Sequence, residues 1–393
     1  MPVVGSYFGD TLENHPLPTG AASPGCPGRH GVIFESVPEI AESGPRKDGL
    51  HSGLKSRILN TEMSGVRIKR LFRGLVVAVV AIVLTGLAVV AIQLQIGKRR
   101  VAGEIARTGV PRKLSPFGVV KRLSVLPLSD LEAESPALKT EPGVAYLIKA
   151  DNLNILFDAG RNGAGEHPSP VLHNMRALGV DPVVIDMLFF SHPHGDHTGT
   201  GLGTATEFSL SRGLAPLGAI PAYAPAPLTP SQWNPKPWVD LVRGPRTLGN
   251  GIASIGPIPR QLFLLGYTAE QALAVNLEGK GVVLFVGCGH PGVRQIVERA
   301  QQLFDEPIYG IVGGLHLPAR GGRPLLVAVG ADRLPWPGMA ERDVDEAIEE
   351  IARVGPAVVA LSPHDSSNWT IGRFKAAFGD KYREIKVGRE LIL

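Results

Sequence analysis

Between Ser191 and Gly199 the chain reads SHPHGDHTG, so that His192, His194, Asp196 and His197 fall within six residues, directly after the apolar run VVIDMLFF. Imidazole nitrogens suit zinc and other first-row metals, and a carboxylate adds charge and hardness at a second position. In an extended segment His192 and His194 share one side, and a turn at Gly195 can redirect Asp196 and His197 toward a neighbouring metal. The chain has 11 histidines in 393 residues, so three in one hexapeptide beside an aspartate is not a chance polar loop.

Ahead of this motif lies an apolar stretch. Residues 74–97 carry no charge, and at roughly 1.5 Å per residue they span about 36 Å, enough for a hydrocarbon core of about 30 Å. No polar face marks the stretch as a buried core helix, so the sequence predicts one transmembrane helix over 74–97 and a single-pass membrane protein. A cleaved signal peptide is the rival if translation begins at Met63, since Arg67, Lys69, Arg70 and Arg73 would form its basic n-region. Basic residues flank the span on both sides, with Lys98, Arg99, Arg100, Arg107, Arg112 and Lys113 following it. The charge pattern therefore does not set which side of the membrane holds the rest of the chain.

Residues 1–73 read as a disordered tail, with a start at Met63 as the alternative, because 1–62 mix Gly, Pro, Ser and charge without periodicity. Residues 98–118 read as a basic linker, and an ordered domain occupies 119–393. Within it, VAYLIKA (144–150) and NILFDAG (154–160) pattern as paired strands, residues 169–180 as a helix, and VVIDMLFFS (183–191) as a buried strand. Strands at 281–287, 307–314 and 357–363 alternate with helices at 292–304 and 343–354. Residues 200–280 are rich in Pro and Gly and predict an insertion built mostly from loops.

Composition narrows the partners. A net charge of +4 is small for this length, and no basic stripe interleaved with aromatics points to nucleic acid. Only Cys26 and Cys288 occur, too few and too far apart for a disulfide framework.

The run HPHGDH resembles the HxHxDH signature of the metallo-β-lactamase superfamily, and further segments follow that family's order. The resemblance implies an α/β, four-layer αββα sandwich with metals at one edge between two sheets. It implies that Asp158 of NILFDAG buttresses the metal-binding loop, and that His290 of GCGHPG joins His192 and His194 on a first metal. It places His364 of LSPHDSS with Asp196 and His197 on a second metal. HNMRALGVD, GCGHPGVRQI and GGLHL resemble a branch described around dihydropterin and ribofuranosyl-aminobenzene phosphate synthase. The chain departs from that branch where HCTG reads HDSS. It departs from the wider superfamily where a bridging aspartate is replaced by His316, which predicts a weaker second site.

The implied activity is hydrolysis of an ester, phosphoester, lactone or similar small molecule by metal-activated water, with one or two zinc ions and with manganese or iron as alternatives. Asp196 would also orient that water. Two other readings stand beside it: a synthase-like enzyme joining a pterin or aminobenzoate-type compound to a phosphorylated sugar, and a metal-binding sensor without turnover. The synthase would need a phosphate clamp, for which LVRGPRTLG (241–249) and IPRQL (258–262) are the sources. Among lesser candidates, His316 reads as a ligand or substrate contact. Asp365 follows His364 directly and reads as facing away, and Cys288 reads as small core filling. His167 and His173 read as solvent-exposed, and His30 and His51 belong to the tail.

Overall fold

A computed structural model of the chain describes residues 50–263, 265–321 and 339–393, with side chains from residue 67 onward. The tail as far as residue 49, with His30 and Cys26, lies outside the described residues. The first element is the helix Leu50–Thr108. Its stretch Arg67–Thr108 is long and apolar enough to cross a membrane, with a mean hydropathy of 3.1 over its most apolar window.

The basic segment after the span is helical as far as Thr108, and not an open linker over that length. The reason is packing on one helix face. Leu94 and Val101 are buried and Gly97, Lys98 and Glu104 are half-buried, at the spacing of one stripe. This stripe meets the hairpin formed by Ile258–Leu262 and Gly266–Glu270. The Tyr267 hydroxyl donates to both Glu104 carboxylate oxygens at 3.0 and 3.1 Å, and the Arg100 guanidinium lies 4.7 Å from the Tyr267 ring centre. The Gln261 side chain fills the space a Cβ on Gly97 would need.

Two sheets form the body. The first has seven strands, in the order Leu391–Ile392, Leu123–Ser129, Ala145–Ala150, Leu153–Phe157, Met187–Phe189, Pro221–Ala224 and Trp238–Leu241. The second has six, in the order Val358–Leu361, Ile308–Gly313, Gly281–Val286, Leu273–Leu277, Ile252–Ser254 and Arg246–Gly249. One apolar core, including Tyr146, Phe157, Phe189, Val275 and Phe285, lies between the sheets. A second packs the helices Val293–Leu303, Glu341–Val354 and Asn368–Phe378 onto the second sheet. A third packs the helix Pro170–Ala177 onto the first. Three cores between four layers make the αββα sandwich.

The helix Pro170–Ala177 starts where sequence chemistry puts it: the Ser169 hydroxyl caps the Leu172 N–H, and Pro170 holds the first turn. The strand expected over 183–191 is shorter, Met187–Phe189, because Asp181 caps a 3-10 turn at Pro182–Val184. Residues 200–280 hold more sheet than their Pro and Gly content suggests. Most of their length is loop, as expected, yet they supply two strands to the first sheet and three to the second, besides the hairpin. These strands run only three to five residues, too short for an alternating pattern to stand out among so many Pro and Gly.

Candidate metal centre

The candidate side chains all follow the carboxyl end of a parallel strand. Asp158 follows Leu153–Phe157, and the histidine run follows Met187–Phe189 beside it. Cys288 and His290 follow Gly281–Val286, His316 follows Ile308–Gly313, and His364 and Asp365 follow Val358–Leu361. Such ends are where open α/β sheets gather ligand groups, since loops leave the sheet there with free backbone and side chains. Close approach between the loops is permitted by Gly287, where a Cβ would collide with the Ser191 hydroxyl.

The ligand atoms of His192, His194 and His290 lie within 4.8 Å of one another. His290 Nε2 is 3.2 Å from His194 Nδ1, and His194 Nε2 is 3.0 Å from the Thr268 hydroxyl, which fixes which nitrogen faces the group. Burial, reinforced by the neighbouring imidazoles, pushes His192 and His290 well below the ordinary histidine range and His194 down to about 3. These rings are therefore neutral, with lone pairs to offer. His192 Nε2 is buried with no hydrogen-bond partner, while its Nδ1 is held by the Ser191 hydroxyl at 2.9 Å. A core histidine would have both nitrogens satisfied. The residues present thus fit a metal ion.

The ligand atoms of Asp196, His197, Cys288 and His364 form a second group within the same limit, and those of Cys288, His316 and Asp365 a third. Asp158 Oδ2 lies 2.7 Å from His197 Nδ1, and both its oxygens accept from Ser191, one from the backbone N–H and one from the hydroxyl, at 2.7 Å each. Burial alone would lower the His197 pKa, but Asp158 and Asp196 outweigh it and raise it to about 9. On the far side, the His364 Nδ1 is 2.7 Å from the Ser362 hydroxyl, which donates to buried Asp130 at 2.6 Å.

Sequence reasoning brings together His192, His194 and His290, and separately Asp196, His197 and His364, as the structure does. His316, expected as a ligand or substrate contact, falls in the third group beside these two. That residue sits at φ +51, donates its backbone N–H to Asp365 Oδ2 at 2.8 Å, and shares its group with Cys288 and Asp365. Asp365 does not face away from His364, because the chain has already left the strand at Leu361 and strand alternation no longer applies. Cys288 is not plain core filling: its Sγ stands 3.1 Å from His197 Nε2 and 3.2 Å from His364 Nε2. Its place two residues before His290 was the available signal. His167 is exposed but bonded through Nδ1 to the Ser211 hydroxyl at 2.8 Å. His173 is half-buried, with Nε2 3.1 Å from the Ala137 carbonyl oxygen.

Glu270 had no local signal. Its buried carboxylate accepts the backbone N–H groups of Cys288, Gly289 and His290 at 3.1, 2.7 and 2.8 Å, clamping the loop that carries two candidate ligands. Burial outweighs those bonds and raises its pKa to about 7.

Residues 138–300 match the sequence profile of the metallo-beta-lactamase superfamily. A protein of Methanocaldococcus jannaschii named 7,8-dihydropterin-6-methyl-4-(beta-D-ribofuranosyl)-aminobenzene-5'-phosphate synthase is 25% identical over a match covering 52% of this chain and 81% of that one. A crystal structure of a metal-dependent hydrolase of the beta-lactamase superfamily aligns at 19% identity, covering 68% of this chain and 98% of that one, with a TM-score of 0.47. A metallo-beta-lactamase fold protein from Bacillus subtilis aligns at 15% identity over 70% of this chain and 100% of that one, with a TM-score of 0.42. Through the matched segment 138–300, and with a sandwich built around it and histidine groups at its edge, the chain is similar to the metallo-beta-lactamase superfamily.

Proposed function

We propose that residues 119–393 are a metal-dependent hydrolase of small-molecule esters, phosphoesters or lactones, held at a membrane by residues 74–97. The observation that carries this reading is the first histidine group: three buried neutral imidazoles with two unpartnered nitrogens, His192 Nε2 and His290 Nδ1, next to a second group that contains the carboxylate of Asp196. A bound zinc, manganese or iron ion supplies Lewis acidity and an activated water near neutral pH. The chain's own residues do the positioning. Asp158 orients His197 directly and His192 through Ser191, and Glu270 holds the backbone that carries His290. In this reading Asp196, whose side chain is 15% exposed, would orient a water and accept its proton.

A cavity of about 540 Å³ reaches the second group, with His364 and Asp365 on its wall and Arg320, Asn368 and Trp369 around it. That is the size of a small-molecule site. The synthase-like reading has in its favour the match across 81% of the archaeal relative. Its phosphate clamp has less support: Arg246 is committed to Asp240 by two bonds of 2.9 and 3.0 Å. Hydrolysis is the better reading. The test is to strip the purified protein with a chelator, restore zinc or manganese, and assay phosphodiester, phosphomonoester and lactone substrates. Metal-dependent turnover that disappears in His192→Ala supports the proposal. Metal binding without turnover on any of these classes supports a sensor, and condensation of a phosphorylated sugar with an aromatic amine supports the synthase.

A further inference from the structure

We infer that the thiolate of Cys288 is a ligand of the second metal, completing a four-ligand set with Asp196, His197 and His364. The inference rests on the proposed metal centre and adds to it a residue that the sequence reads as core filling. The Sγ atom lies between two imidazole nitrogens that reach it from opposite segments, His197 Nε2 at 3.1 Å and His364 Nε2 at 3.2 Å. Each of those rings has its other nitrogen already engaged, His197 Nδ1 by Asp158 and His364 Nδ1 by Ser362. The two rings are therefore oriented to present Nε2 toward the sulfur, as ligating histidines are oriented by a bond at the far nitrogen.

The position has consequences for the pair of sites. Cys288 belongs to the second and third groups and not to the group of three histidines. Two nitrogens, a carboxylate oxygen and a thiolate are a complete tetrahedral set for zinc, whereas three imidazoles leave a fourth position open. The thiolate thus supplies the second site with the anionic ligand that His316 does not. His316 and Asp365 share the third group with the sulfur, and the Asp365 carboxylate accepts the His316 backbone N–H. When the metal arrives the S–H bond breaks, its proton leaves to solvent and its electron pair forms the metal–sulfur bond.

The experiment uses the full-length protein in detergent. Zinc-edge X-ray absorption of the wild type loaded with two equivalents should show a sulfur scatterer at about 2.3 Å. Cobalt substitution should give a thiolate-to-cobalt charge-transfer band that is retained in Cys26→Ser and lost in Cys288→Ser. In Cys288→Ser one equivalent should bind as in wild type and the other about tenfold or more weakly. Two bound equivalents with only nitrogen and oxygen neighbours would overturn the thiolate ligand and leave the metal centre standing. A chain that binds no zinc or cobalt would overturn both. The absorption measurement on the wild type decides the question even if Cys288→Ser fails to fold.

Discussion

Asp158 Oδ2 stands 2.7 Å from His197 Nδ1, and the same carboxylate reaches His192 through the Ser191 hydroxyl, so one buried side chain orients a candidate ligand in each of the first two groups. Asp158 itself sits at φ +60, a backbone conformation that costs energy and is held here by the hydrogen bonds around it. Asp158→Asn keeps the size but removes the charge and one acceptor. It should lower metal affinity about 10–100-fold, the usual effect of losing a partner behind a ligand. Competition with a chromophoric chelator measures it, and unchanged affinity would show that Asp158 is only structural.

Glu270 should matter for stability as much as for metal. Glu270→Ala leaves three buried backbone N–H groups without their acceptor, a loss of about 3 kcal/mol or more. Urea denaturation of the metal-free protein measures this independently of ligand binding. Glu270→Gln, which keeps one acceptor oxygen, should fall between the two.

Asp130 gives a pH signature. Burial raises its pKa from 3.8 to about 6, so the folded state favours its protonated form. That contribution is present below about pH 4 and is lost as pH rises through about 6. In chelated protein, wild type should lose roughly 2–3 kcal/mol relative to Asp130→Asn across this window. A flat difference between the two would show that Asp130 ionises normally.

The end of the long helix should be separable from its apolar span. Removing residues 1–92 keeps Leu94, Val101 and Glu104 on the hairpin and should give a folded protein that leaves the membrane fraction. Removing residues 1–108 also strips the Glu104 partner from Tyr267 and should lower the melting temperature further. The Tyr267→Phe change alone should cost about 1 kcal/mol. Release of a shortened natural chain into the soluble fraction would mean that the apolar stretch is a cleaved signal.

The legible parts of this chain were those written in contiguous residues. The histidine run, the strands at 145–150 and 281–286, and the Ser169–Pro170 helix start each carry their signal within a few positions. Glu270 and Asp130 were not legible, because they act on loops 18 and 232 residues away and have no local pattern of their own. Cys288 was misread for a different reason. A small thiol after an apolar strand looks the same in sequence whether it fills a core or faces two histidines, and only the packing of His197 against His364 separates the two.

The most direct test is the zinc content of wild type and of two variants, measured after reconstitution and removal of loose metal. We expect two equivalents in the wild type, about one in His290→Ala, and about one in His364→Ala with the first group still filled. Absence of bound metal in the wild type, or loss of all metal in His364→Ala, would contradict a centre built from two separable groups.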